Sequence, residues 1–168
     1  PHQCRRLRPA ARGRGVGALM LAYLLPVLYA LGLWWAGTVA VMYLGGRPVR
    51  SFVPTMGVAS GILALALAGL AWSASRATPL GAYVAVTCGV AIWAWLEVSF
   101  YTGCVTGPRR HACPAGCHGW RHFRHALAVS LYHELAIVLL GAAAAALTWG
   151  ADNQLGLWTL LALAAMHE

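Results

Sequence analysis

The chain contains no lysine and only four acidic residues among its 168 positions. Charged residues make up 10% of the sequence, whereas a soluble domain of this length would carry about 25%. Hydrophobic residues make up 60%, and the mean hydropathy is +0.66. This composition excludes an ordinary water-soluble domain and predicts a membrane protein that buries its apolar surface against lipid and neighbouring helices.

All twelve basic residues are arginines, and they give the chain a formal net charge of +8. Guanidinium groups at a membrane rim suit lipid phosphates and acidic partners, although marking the topology is their simpler use. Because the arginines are confined to loops and a terminal tail, we expect contact with the lipid bilayer and no binding of nucleic acid.

Five apolar runs predict an all-α, polytopic bundle of transmembrane helices. The runs cover residues 16–44, 52–75, 80–103, 126–150 and 155–168. Each of the first four exceeds the roughly 20 residues that a spanning helix needs, and the short links between them favour antiparallel neighbours. The fifth run stops early, so we expect the natural protein to continue beyond it. Gly57 and Gly61 fit a small-xxx-small spacing, and we expect ordinary internal packing there.

The helical domain, residues 16–168, follows an arginine-rich tail and contains one long loop. The tail, residues 1–15, has five arginines, no acid and no cleavable signal-peptide pattern. A membrane-surface arm, a disordered tail and a non-native addition are all compatible with it. The loop, residues 104–125, is rich in cysteine, histidine and arginine.

The arginines of the loops predict an orientation. The first and third loops hold six of them, whereas the second and fourth hold only Arg76. The positive-inside rule therefore places the first and third loops in the cytoplasm and the N-terminus outside. The arginines of the tail favour the reverse, and we give the loops more weight.

Three of the four acids lie inside apolar runs: Glu97, Glu134 and Glu168. Glu134 follows His133 directly, and Glu168 follows His167. A charged side chain at the centre of a bilayer costs at least about 2.5–3.5 kcal/mol, so such residues are rare unless paired or functional. These positions are therefore candidates for a functional site.

Helix arithmetic places these residues in one layer of the membrane. At 1.5 Å per residue, Glu97 lies about 9 Å from the loop end of the third run. His133 and Glu134 lie about 10–12 Å from the same side. His167 enters from the opposite face and is about 12 Å from that side in a core of about 30 Å. A shared depth is what a single polar site requires.

Four interpretations of this layer remain open. The acids and histidines could be polar contacts between helices, or a proton relay. His133 or His167 could ligate a tetrapyrrole axially, with Trp93 and Trp95 as an aromatic lining. A non-haem metal with mixed histidine and carboxylate ligands is the fourth, although adjacent His and Glu residues point about 100° apart around a helix.

The long loop offers a second candidate site. Cys113 and Cys117 are separated by one residue too many for the usual attachment motif of a c-type haem, which ends on a histidine like His118. These three residues could bind zinc, with Cys104 as an outlying fourth ligand. A disulfide, in an oxidising compartment, and a tight turn with incidental thiols are the alternatives.

Several motifs together resemble the PuhE family (DUF3623-like) of proteins proposed to assist photosynthetic complex assembly. They are Leu24-Leu25-Pro26, Trp34-Trp35, Trp95-Leu96-Glu97-Val98-Ser99-Phe100-Tyr101-Thr102-Gly103, Val105-Thr106-Gly107-Pro108-Arg109, Cys113-Pro114, Gly119-Trp120-Arg121, Phe123, His133-Glu134-Leu135-Ala136, Leu147-Thr148-Trp149-Gly150 and Asn153-Gln154. The resemblance covers residues 24–168, but the family pattern has a histidine where Leu96 stands.

The resemblance implies a multi-pass protein of a bacterial inner membrane. The protein would assist assembly of the photosynthetic reaction centre and light-harvesting subunits, or deliver pigment to them. The resemblance favours a non-enzymatic role without catalytic residues. We expect the layer of Glu97, His133, Glu134 and His167, with Trp95 nearby, to hold bacteriochlorophyll, a precursor or another tetrapyrrole. A membrane redox enzyme or cytochrome-like protein is the alternative.

Overall fold

A computed structural model of the chain describes residues 12–108, 116 and 118–167, with side chains from residue 20 onward. The regular secondary structure of this part of the chain is entirely helical, with no strand, which confirms the predicted all-α class. The helices are α1 (Arg12–Gly45), α2 (Phe52–Ala74), α3 (Pro79–Tyr101), α4 (Gly119–Leu147) and α5 (Leu155–His167), with a 3-10 turn at Val49–Ser51.

Four segments of the described chain are long and apolar enough to cross a membrane, as expected for a multi-pass protein. They are Met20–Gly45, Val49–Ala74, Pro79–Tyr101 and Gly119–Leu147. Helix α5 is apolar but has only 13 residues, which corresponds to about 20 Å.

Two helices begin earlier than the apolar runs predict. Helix α4 starts at Gly119, inside the predicted loop, and α1 starts at Arg12, inside the predicted tail. Hydropathy marks the membrane rather than the end of a helix, and arginine is a good helix former. The first turns of α4 therefore continue the helix outside its apolar part.

Helix α3 is the centre of the bundle. Within their most apolar windows, 39% of the residues of α3 are buried, against 6% in α1 and α4. It packs against each of the other four helices. The core between α2, α3, α4 and α5 consists of Ala66, Leu70, Cys88, Ile92, Leu96, Ala144 and Leu160. Helices α1 and α4 turn most of their apolar surface outward, as lipid-facing helices do.

Glycines set the close approach of α5 to α3. A Cβ on Gly89 would lie 2.6 Å from the carbonyl oxygen of Gly156. A Cβ on Gly156 would lie 2.6 Å from the carbonyl oxygen of Ala85. The prediction that Gly57 and Gly61 serve internal packing is wrong, because both are exposed and have open space around them. Small residues at the α3–α5 crossing bring the C-terminal half of α5 alongside that of α3.

Asn153 fixes the turn that leads into α5. Its side-chain amide donates hydrogen bonds to the carbonyl oxygens of Ser73 and Arg76 at the end of α2. Its backbone N–H donates to the carbonyl of Ala74, and its side-chain oxygen accepts from the N–H of Leu155. One buried side chain therefore closes the end of α2 and begins α5.

Candidate functional site: a histidine and glutamate cluster beside an apolar pocket

Three polar side chains from three different helices meet in the bundle. Glu97 comes from α3, His133 from α4 and His167 from α5, and one ligand atom of each lies within 4.8 Å of the other two. Nδ1 of His167 is 3.4 Å from Oε1 of Glu97. We call these three residues the His–Glu cluster.

His133 is the most deeply buried member of the cluster, with 1% of its surface exposed. Its ring packs against the rings of Phe100 and His167, at centroid distances of 4.7 and 5.6 Å. Among the described residues, neither of its nitrogens has a hydrogen-bond partner, and neither does Oε1 of Glu97. The 3.4 Å contact of Glu97 with His167 is thus an ion-pair distance without hydrogen-bond geometry.

The unpartnered atoms show that the three residues of the cluster do not satisfy one another's hydrogen-bonding groups. A buried polar atom without a partner costs about 1–3 kcal/mol, and the cluster has three such atoms. Polar contacts that merely hold helices together would be expected to satisfy one another. Two imidazoles and one carboxylate are instead suited to accept a metal ion, a proton or a hydrogen-bond donor.

The segment after α3 positions His133. The backbone N–H of His133 donates to the carbonyl of Thr106 at 2.9 Å. Gly107 lies so close to α4 that a Cβ there would be 2.2 Å from the carbonyl oxygen of Ala128. Only glycine fits this contact, which ties the turn following α3 to the part of α4 that carries His133.

An apolar pocket of about 490 Å³ lies beside the cluster, between α1, α3 and α5. Glu97 and His167 are part of its wall, whereas His133 is not. The other lining residues are Trp34, Gly37, Thr38, Val41, Met42, Gly45, Gly46, Val90, Trp93, Ala94, Tyr101, Leu163 and Met166. The pocket is therefore apolar with one polar corner, an arrangement common in sites for small molecules.

The structure brings together only part of the predicted layer. Glu134 follows His133 on α4 but lies outside the cluster and is half-buried. Leu96 points into the apolar core and is fully buried. Glu168 lies outside the described residues. Among the described residues, the cluster thus consists of one carboxylate and two imidazoles.

Trp95 faces away from the cluster. Its indole N–H donates to the hydroxyl of Ser60 on α2, at 3.2 Å. Trp93 is the tryptophan beside the site, with its ring centroid 5.4 Å from that of His167. Trp93 lies four residues before Glu97, and Tyr101 lies four residues after it. This spacing places all three side chains on one face of α3, so the sequence contained a signal for that wall of the pocket.

Of the three predicted zinc ligands of the long loop, only His118 lies within the described part of the chain. Cys113 and Cys117 lie outside the described residues. His118 immediately precedes α4 and is exposed. The zinc site therefore stays a prediction.

Comparison with known proteins gives two matches. The sequence profile of a family described as "Protein of unknown function (DUF3623)" matches residues 20–168. An "Uncharacterized 30.4 kDa protein in puhA 5'region" of Rhodobacter capsulatus is 32% identical over 150 residues. The match covers 83% of this chain and 52% of that protein, so the chain spans about half the length of this relative. No solved structure matches the chain.

Proposed function

Because this chain belongs to the DUF3623 family, we propose that it is an accessory subunit or assembly factor of photosynthetic membrane complexes. Its similarity to a protein of the puhA 5′ region, in a photosynthesis gene cluster, supports this role. The reaction centre and light-harvesting subunits are its proposed partners. A bacterial inner membrane is the proposed location, since the described residues include four candidate spans and the similar protein comes from a bacterium.

The pocket beside the His–Glu cluster supports a more specific proposal, that the protein binds a small molecule. It lies between membrane helices, is lined by Trp34 and Trp93, and has Glu97 and His167 at one corner. A planar apolar molecule with polar substituents matches such walls. The proposed occupant is bacteriochlorophyll, one of its precursors or another tetrapyrrole, held for delivery or assembly.

His167 is the imidazole that an occupant of the pocket can contact. Its side chain is 33% exposed and lies on the pocket wall. His133 is enclosed by Phe100 and His167 and has no surface on the pocket. A tetrapyrrole would therefore meet His167 first, and axial ligation by His133 is not part of the proposal.

An absorption spectrum of the protein, purified in mild detergent from pigment-producing cells, tests the proposal. We expect red and near-infrared bands of a tetrapyrrole in the wild type. Thr38→Trp places a large ring in the pocket from α1 and is expected to reduce these bands at least about tenfold, a difference of about 1.4 kcal/mol in binding.

Val39→Trp is the matched control, since Val39 is exposed and does not line the pocket. It should retain the pigment bands of the wild type. Equal bands in both variants, or a colourless wild-type protein, would exclude pigment binding in this pocket. A Soret band with haem α and β bands would instead support the cytochrome-like alternative.

A further inference from the structure

We infer that Glu97, His133 and His167 form a mononuclear site for a divalent transition-metal ion at the corner of the pocket. The ion site adds a metal to the proposed function. It rests on that function only where the identity of the molecule in the pocket is concerned. The ion site itself stands on the contacts among these three residues. Each comes from a different helix, so the ion would join α3, α4 and α5.

The separation of the ligand atoms suits a single ion. Atoms that each lie about 2.0–2.2 Å from a shared ion can be at most about 4.4 Å apart. The three ligand atoms lie within 4.8 Å of one another. The difference is a few tenths of an ångström, which small side-chain rotations within the cluster can supply.

His133 gives a second, independent indication of a ligand. It is 99% buried by area, because only 1% of its surface is exposed, and both of its ring nitrogens lack hydrogen-bond partners in the described part of the chain. Oε1 of Glu97 is likewise buried without a hydrogen bond. An ion would satisfy one nitrogen of His133 and that oxygen together.

The ligand set indicates the class of ion. Two imidazoles with one carboxylate suit zinc(II) and iron(II), whereas calcium and magnesium prefer oxygen ligands only. Three protein ligands leave at least one coordination position open. Glu97 and His167 lie on the pocket wall and His133 lies behind them. The open position therefore faces the pocket, where an oxygen atom of the occupant would complete the coordination.

Metal analysis of the full chain tests the inference directly. The protein is purified without chelators and equilibrated with zinc(II), or with iron(II) in the absence of oxygen, and the bound metal is measured by mass spectrometry. We expect about one ion per chain, since three ligands converge on one point. Affinity should fall at least about 100-fold in His133→Ala and Glu97→Gln, because even loss of an outer partner typically costs 10–100-fold.

Glu134→Gln is the matched control, because it removes an intramembrane carboxylate next to His133 and outside the cluster. It should bind the ion as the wild type does. The ion should also raise the thermal unfolding midpoint of the wild type and of Glu134→Gln but leave that of Glu97→Gln unchanged, so that a folding defect is distinguished from ligand loss.

A wild-type protein that binds neither metal, or a His133→Ala variant that binds as tightly as the wild type, would overturn the inference. The pocket variant Thr38→Trp separates the two proposals. It should keep the ion and lose the pigment. Metal without pigment in the wild type would contradict the proposed occupant alone, and pigment without metal would contradict the ion site alone.

Discussion

Replacing Gly107 with alanine is expected to lower the free energy of unfolding by about 3 kcal/mol, at the upper end of typical overpacking costs. The new Cβ would lie 2.2 Å from the carbonyl oxygen of Ala128 and 2.6 Å from that of Val129. Both atoms belong to the backbone of α4, so no side-chain rotation can relieve the clash. Either the helix or the turn after α3 must move.

The same change is expected to disturb the His–Glu cluster, because the N–H of His133 donates to the neighbouring Thr106. The thermal unfolding midpoint in detergent should fall by roughly 6–12 °C, at about 2–4 °C per kcal/mol for a chain of this size. Gly57→Ala is the control, since Gly57 has open space around it. Its midpoint should be unchanged or raised, and a Gly107→Ala midpoint equal to the wild type would contradict the contact.

Replacing Gly156 with alanine is the second change with a large expected effect. Its Cβ would lie 2.4 Å from a methyl group of Leu70 and 2.6 Å from the carbonyl oxygen of Ala85. The leucine can rotate, but the carbonyl belongs to the backbone of α3. Helix α5 must therefore move away from α3, at an expected cost of about 2–3 kcal/mol.

The consequence for the site distinguishes Gly156→Ala from a purely local defect. His167 lies on the same helix, so its distance from Glu97 should increase and metal affinity should fall with stability. Gly141→Ala on α4 is the control, since Gly141 has open space around it. Wild-type stability and metal affinity in Gly156→Ala would show that α3 and α5 are not packed as described.

Much of the fold follows from hydropathy alone. The apolar runs predict five membrane-spanning segments, the last of them truncated. All five are helices in the structure, and four of the described helices are long enough to cross a membrane. The motifs around Glu97 and His133 predict the family, which the match over residues 20–168 confirms. Helix ends are predicted less well, because Gly119 and Arg12 begin helices in segments that are polar rather than apolar.

The candidate site follows from the sequence only in part. Depth arithmetic places Glu97, His133 and His167 at one level, but depth does not determine the direction in which a side chain points. Glu134 shares the level and lies outside the cluster because it is one residue from His133 on a helix. Trp95 was expected to line the site together with Trp93, but its indole N–H donates to Ser60 on α2.

The pocket and the role of Gly107 depend on tertiary contacts that no local pattern encodes. The α1 wall of the pocket comes from residues such as Trp34 and Thr38, about 60 positions from Glu97 in the sequence. Gly107 lies in a turn where glycine is common, and only its approach to Ala128 shows why no side chain fits. Helix crossings decide both features.

The proposed function and the proposed ion site together imply that the His–Glu cluster is needed for photosynthetic complexes to form. The most direct test of this claim is the near-infrared absorption of membranes from a phototroph that lacks its own copy of the gene and carries the full gene with either His133→Ala or Glu134→Gln. We expect Glu134→Gln to restore the wild-type intensity of the bands of the assembled complexes. His133→Ala should restore at most about a tenth of that intensity, and a tenfold loss corresponds to about 1.4 kcal/mol. Full restoration by His133→Ala, with the variant present in the membrane at wild-type abundance, would contradict the claim.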